Sequence, residues 1–246
     1  MKTMKVLFAV LGFCLISTPA VATQEAKPVR LVYDQAHGQE PPPEPFDALA
    51  RKLGLEVDAS SRRLDAAALE GARILYLRAP SEEFTAAERE AIVAFVQGGG
   101  SLFLILDEER RQSLEKTGVN HLIAPFGIRL TPDTEYVHNC GGIATTGEVN
   151  KESRELPYSG GRAVEGGTPF AFQLDKEGKP AQPFGAYLRL DQGGRIVVLG
   201  EGMASLFLGE PAGVRLTGVP RDPAQTTYWG KDSSIFMEEL IKWLAG

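Results

Sequence analysis

Asp34 and His37 stand three residues apart, straight after the apolar run Val29-Arg-Leu-Val-Tyr33, and Gly38 follows them. A carboxylate beside an imidazole can orient a general base, help hold a cation or hydrogen-bond a ligand. Asp107, Glu108 and Glu109 follow a second apolar run, Ser101-Leu-Phe-Leu-Ile-Leu106, and Glu201 and Ser205 follow a third, Arg195-Ile-Val-Val-Leu199. His138-Asn-Cys140 sets an imidazole two residues from a thiol. Three chemistries are within reach of these types: metal-assisted hydrolysis, paired-carboxylate hydrolysis and a histidine-activated thiol.

Spacing weighs against each. Asp34, His37, Asp107, Glu108, His138 and Glu201 form a mixed carboxylate and imidazole set of the kind that suits zinc, manganese or iron. The set has none of the dense spacings of a zinc site, and a hydrogen-bonded network positioning loops is the preferred reading. Cys140 lacks a distant base with an orienting third group, so a loop cysteine packed under glycines is preferred to a nucleophile. His37 keeps two roles, capping backbone before Gly38 or hydrogen-bonding a ligand beside Asp34. His121 reads as a surface or packing residue. Tyr136, Tyr158, Tyr228 and Trp229 fall in loops, where aromatics stack on sugars, dock proteins or pin their own loop. Gly98-Gly-Gly100 precedes a strand instead of opening a helix after one, and Gly200-Glu-Gly202 carries an acid, so no phosphate cradle or nucleotide cofactor is expected.

The chain has 246 residues and a net charge of −6, with no run of Lys or Arg, which argues against nucleic acid or an anionic membrane as the main partner. Lys2 and Lys5 precede an apolar run from Val6 to Ile16, and Ala20-Val-Ala22 supplies a small-x-small site. This predicts a cleaved signal peptide over residues 1–22, a mature chain from Thr23 and a periplasmic or secreted location. Phe13 before Cys14 argues against lipidation, and Cys140 alone then remains, so no intramolecular disulfide is expected. Residues 23–246 read as one domain without linker, repeat or integral membrane segment.

The elements that would position the acids alternate strand with helix, as in a parallel sheet covered by helices. Leu31 to Tyr33 begins a strand, Phe46, Leu49, Ala50 and Leu53 share a helical face, and Leu55 to Val57 and Ala72 to Leu77 are further strands. Thr85-Ala-Ala-Glu88 reads as a capping box before the stripe Ala91, Ile92, Phe95 and Val96, and Gly98 to Gly100 stop that helix. Ala186 to Leu190 and Arg195 to Leu199 read as a hairpin around a polar turn. A last helix from about Ser233 buries Phe236, Leu240, Trp243 and Leu244, capped by Asp232 or Ser233. The glycine-rich stretch from Cys140 to Gly167 has no long helix, and residues 131–185 either extend the sheet or form a lid.

Several phrases in this order resemble the class I glutamine amidotransferase-like superfamily, in particular its non-enzymatic branch. That branch holds bacterial exported domains of unknown function related to gliding-motility ABC-transport auxiliary proteins and the N-terminal domain of an intraflagellar transport protein. The phrases are Tyr33-Asp-Gln-Ala-His-Gly38, Phe84-Thr-Ala-Ala-Glu88, Phe95-Val-Gln-Gly-Gly-Gly-Ser-Leu102, Val119-Asn-His-Leu-Ile-Ala-Pro-Phe-Gly-Ile128, Gly194-Arg-Ile-Val-Val-Leu-Gly-Glu201 and Trp243-Leu-Ala-Gly246. The resemblance implies a three-layer α/β sandwich: a mainly parallel, flavodoxin-like or Rossmann-like sheet, helices on both faces, and a glycine-rich β/loop insertion in the second half. It also implies the absence of the superfamily's chemistry. The enzymatic relatives carry a cysteine on a tight turn after the strand that here ends at Leu106, and Asp107-Glu-Glu-Arg-Arg111 stands there instead.

The sequence therefore predicts an exported, non-catalytic binding domain. Its ligand-binding candidates are Asp34, His37, Asp107, Glu108, His138, Glu201 and Trp229, gathered where parallel strands end. The expected partner is a small ligand, a glycan among them, or an envelope protein. Two alternatives stay open, a metal- or carboxylate-dependent hydrolase of a glycan or amide, and a structural subunit of an envelope assembly.

Overall fold

The computed structural model describes residues 28–134, 141–158, 160–175, 177–206, 208 and 231–246. The first half alternates β1 (Val29–Asp34), α1 (Glu44–Lys52), β2 (Leu55–Ser60), α2 (Ala66–Leu69), β3 (Ile74–Arg78), α3 (Ala86–Gln97) and β4 (Ser101–Ile105). Two short helices follow, α4 (Leu114–Thr117) and α5 (Val119–Ile123). Strands then dominate: β5 (Arg129–Asp133), β6 (Gly142–Ala144), β7 (Arg154–Leu156), β8 (Arg162–Glu165), β9 (Thr168–Leu174), β10 (Pro180–Arg189) and β11 (Arg195–Leu199). The order closes on α6 (Met203–Leu206) and α7 (Ser233–Ala245).

Among the described residues, nine strands make one sheet in the order β2-β1-β3-β4-β11-β10-β9-β6-β7. Neighbours from β2 to β11 are parallel, and those from β11 to β7 are antiparallel. The architecture is mixed α/β around this large sheet. β5 and β8 pair apart from it as a two-stranded ribbon. Residues 131–185 thus divide their work, with β6, β7, β9 and β10 extending the sheet and the ribbon packing beside it.

The inner parallel strands β3, β4 and β11 read as continuous apolar runs because both of their faces are covered, whereas β2 at the sheet edge carries Glu56 and Asp58. Leu31, Tyr33, Ile74, Tyr76, Phe103, Ile105, Val197 and Leu199 share one buried core with Phe46 and Leu49 of α1 and Phe236, Leu240 and Leu244 of α7. The alternate residues Val32, Leu75, Leu77, Leu102, Leu104, Ile196 and Val198 share the other with Ile92 and Val96 of α3 and Leu122 and Ile123 of α5. The period-two alternation of side chains assigns each strand residue to its face.

Helix ends follow from local chemistry. The Thr85 hydroxyl accepts from Glu88 N at 3.3 Å, and the Glu88 carboxylate accepts from Thr85 N at 2.9 Å, the reciprocal box expected from Thr85-Ala-Ala-Glu88. Asp232 stands at the N-cap of α7, but its carboxylate makes no cap hydrogen bond to the helix and accepts instead from Glu155 N at 2.9 Å. Trp243, expected in the core, sits at its rim, where Nε1 donates to Glu148 Oε1 at 3.2 Å and the Arg195 guanidinium lies 5.3 Å from the ring centroid. An indole needs a partner for its N–H, and the rim supplies one. The carboxyl end of α7 is held by side chains from strand starts: Ser101 Oγ donates to Leu244 O at 2.7 Å and Arg73 Nε to Ala245 O at 2.9 Å.

Candidate functional site

All five parallel strands point their carboxyl ends the same way, so the segments after β1, β3, β4 and β11 meet along one edge. Pairing of β11 with β4, Leu199 opposite Ile105, brings Glu201 beside Asp107 in this arrangement. A cleft of about 430 Å³ opens there, and its charged lining comes from Glu40, Arg78, Asp107, Glu108, Arg111 and Glu201. Tyr33, Tyr76 and Phe103 form an aromatic ladder in the sheet beneath, with ring centroids 5.3 Å and 4.4 Å apart. Ser205 Oγ sits between the Tyr76 hydroxyl at 2.9 Å and Arg78 Nε at 3.0 Å, which fixes the guanidinium at the cleft.

Glu201 is buried, and its Oε2 accepts from Met203 N at 2.8 Å. Burial pushes its carboxyl well above the ordinary glutamate range, the charge of Asp107 adds to the rise, and the Met203 amide opposes it. Asp107 is raised too, first by burial, against the amide of Glu108 and the charge of Arg111. Arg111 stands 3.9 Å from Asp107 and 3.8 Å from Glu108, and Arg110 also pairs with Glu108. The cleft therefore holds carboxyl groups that its own cations leave partly uncompensated.

The segment after β4 is clamped by Arg162, whose side chain has no exposure. Its guanidinium donates to Asp107 O at 2.7 Å, Gln112 O at 2.9 Å, Glu109 Oε2 at 2.7 Å and Thr131 O at 3.2 Å. Glu109 is thereby turned from the cleft, and its hydrogen bonds with Ser113, Leu114 N and Arg162 hold its carboxyl down at about 2. Gly200 makes the clamp fit, because Arg162 N donates to Gly200 O at 2.7 Å and a Cβ on Gly200 would lie 2.1 Å from Arg162 O. Ala79, also at the cleft, has φ 54°, the one non-glycine positive φ among the described residues, and stands directly before Pro80. An L-residue held in that region stores local strain.

Asp107, Glu108 and Glu201 thus come together, and two other expected members do not join them. Asp34 and His37 are fully buried and bond inward. Asp34 Oδ2 accepts from Gln39 Nε2 at 2.6 Å and lies 2.8 Å from His37 Nδ1, and Asp34 Oδ1 accepts from Ala36 N at 2.9 Å. A strand-end position put them near the edge, but the turn at Gly38 folds both side chains under it. His138 and Trp229, with Tyr136, Cys140, Tyr228 and the expected leader of residues 1–22, lie outside the described residues. Among the described residues, no three His, Cys, Asp or Glu side chains are grouped to hold a metal ion. Arg78 and Arg162 were not candidates, and their only sequence signal is a position at the end of an apolar strand and one after Gly160-Gly161.

The family model of the IFT52 GIFT domain matches residues 31–214. The chain belongs to the IFT52 GIFT domain family. The human intraflagellar transport protein 52 homolog is 28% identical over 156 residues, which is 58% of this chain and 34% of the human protein. This chain therefore corresponds to about a third of that relative's length. The solved mmIFT52 N-terminal domain superposes with a TM-score of 0.64 at 15% identity, covering 88% of this chain and 97% of that one. A ThuA-like protein from Bacteroides uniformis gives 0.51 at 12% identity over 93% of this chain and 95% of that one. Both likenesses are of fold.

These matches correct the functional expectation. The relatives of the IFT52 GIFT domain family are named for intraflagellar transport, not for an envelope. An exported, periplasmic or secreted binding domain with a small ligand, a glycan or an envelope protein as partner is not what this family indicates. The misreading has a plain cause: an apolar run behind two lysines is a generic pattern that carries no information about residues 31–214.

Proposed function

We propose that this chain is a non-catalytic docking domain of a protein assembly of the intraflagellar transport type, and that its carboxyl-edge cleft engages a basic segment of a protein partner. Membership of the IFT52 GIFT domain family is the observation that carries the reading. The cleft chemistry supports it, since Glu40, Asp107, Glu108 and Glu201 outnumber Arg78 and Arg111, and a partner's cation would relieve the buried carboxyls. The loop after β4 supports the non-catalytic part, because Asp107-Glu108-Glu109 occupies the place of the amidotransferase cysteine turn.

The reading takes the chain as a non-enzymatic relative of the class I amidotransferase-like superfamily. Residues 23–246 would be one three-layer domain of flavodoxin-like strand order with a glycine-rich insertion. The two cores on opposite sheet faces support this. The test is cross-linking of the whole chain in extracts of its own cells, read by mass spectrometry, beside a glutaminase assay. Cross-links from residues 107–112 to one protein, lost in Glu108→Lys, are the expected result. Glutamine hydrolysis that disappears in Glu201→Gln would replace docking with catalysis.

A further inference from the structure

His37 lies between two carboxylates on different elements. Nδ1 is 2.8 Å from Asp34 Oδ2 at the end of β1, and Nε2 is 3.3 Å from Glu88 Oε1 on α3, at ion-pair distance but out of hydrogen-bond alignment. The ring stacks on Phe84 with centroids 4.0 Å apart, and the side chain has no exposure. A neutral imidazole carries one N–H and so can serve one carboxylate, leaving a lone pair facing the other. Only the imidazolium serves both.

Each carboxylate has other donors that keep it in place. Asp34 is held by Ala36 N and Gln39 Nε2. Glu88 is held by Thr85 N at 2.9 Å, Thr85 Oγ1 at 2.7 Å, Leu64 N at 3.2 Å and Arg63 Nη1 at 3.2 Å. Nδ1 to Asp34 is the short, aligned hydrogen bond, so the contact that gives way when His37 loses its proton is the longer, unaligned one between Nε2 and Glu88. The charged groups facing the ring are Asp34 from β1 and Glu88 from α3, with Arg63 behind Glu88.

The backbone of His37 also borders the cleft. His37 O accepts from Ser81 N at 2.9 Å and Glu82 N at 3.3 Å, which joins the segment after β1 to the segment after β3. Gly38 has φ 77°, and a Cβ there would meet Ser81 Oγ at 2.2 Å. Gly38 and Glu40 line the cleft from one segment, Ala79 and Ser81 from the other.

We propose that His37 is a proton-operated latch: as imidazolium it ties the segment after β1, which its backbone joins to the segment after β3, to the head of α3, and as neutral imidazole it releases Glu88 and loosens that side of the cleft. The sense of the switch follows from the environment. Burial disfavours the charged ring, but the Asp34 hydrogen bond and the Asp34 and Glu88 charges outweigh it and raise His37 above its ordinary value. Thr85, Leu64 N and His37 hold Glu88 down at about 2 against the effect of burial, so it stays ionised throughout. The latch is closed below the ordinary histidine value of about 6.5 and opens as pH rises through the raised one.

Ring-proton NMR of His37 and amide exchange of Leu64, Ser81 and Glu82 in the whole chain test this. The ring should titrate with a midpoint above about 6.5. Exchange of the three amides, corrected for intrinsic base catalysis, should rise about tenfold across that midpoint, as for loss of about 1.4 kcal/mol of local protection. Glu88→Gln should lower the midpoint, and His37→Gln should flatten the step. A midpoint at or below the ordinary value, or a flat corrected exchange profile in the unsubstituted chain, overturns the latch. If His37→Gln fails to fold, the unsubstituted titration and the Glu88→Gln midpoint decide.

Discussion

Glu201 is the side chain whose ionisation the fold opposes most openly, and its pH dependence follows from that. Its folded value is raised, so its contribution to stability is complete below about 4.5 and is lost as pH rises through the folded value. Glu201→Gln removes the ionisation, and we expect it to stabilise the chain by about 1–3 kcal/mol above neutral pH, the scale of a relieved buried polar group. Below pH 4 it should change little. Thermal melts at pH 4 and pH 8 check both. Arg162 is the opposite case, because its loss leaves Glu109 and three carbonyls without their donor. Arg162→Leu should cost about 3–5 kcal/mol. It should also speed tryptic cleavage after Arg110 and Arg111, which urea melts and timed digests would show. At this scale the sequence brought Asp107, Glu108 and Glu201 together, since each closely follows a parallel strand and such strands share an edge. It misplaced Asp34 and His37, because strand-end position does not say whether a loop turns its side chains out or under. Arg162 was hidden because its partners lie in Asp107-Glu108-Glu109, Gln112 and Thr131, distant in the chain.

Among the elements, β4 and α3 carry the most direct expectations. Leu104 has no exposure and packs in the core under α3, so Leu104→Ala should cost about 2–5 kcal/mol by transfer plus cavity. Thr85→Ala removes the cap of α3 and should cost about 1 kcal/mol. Chemical denaturation of both, with exposed Ile235→Ala as a control expected within about 0.5 kcal/mol, tests the ranking. β3, β4, α1 and α3 were legible because two-sided burial writes strands as unbroken apolar runs and helices as periodic ones, while α2 and α4, four residues each, are too short to show a period. The second half was less so. β6 and β7 are three residues each, too short for a period, and β10 begins at Pro180 instead of Ala186 because edge-type residues such as Pro180 and Pro183 mask its start.

The whole molecule turns on one seam, the parallel pairing of β4 with β11, which sets Ser101 opposite Arg195 and joins the first-half strands to those of the second half. A chain stopped after Leu190 keeps the apolar run of β4 but loses its partner, and we expect it to elute as aggregates on size exclusion where the full chain elutes as a discrete species. The seam also has a history during synthesis. At about 5–20 residues per second, roughly 5–20 s pass between the emergence of Ser101 and that of Arg195, whereas a hairpin closes in microseconds. For that interval the nascent chain bears the apolar run Leu102 to Leu106 with a free flank, open to the same strand on a neighbouring ribosome. The next five residues to emerge are Asp107, Glu108, Glu109, Arg110 and Arg111. The charges that later line and clamp the cleft thus stand, while translation continues, in the flanking position from which charged residues oppose strand-to-strand association.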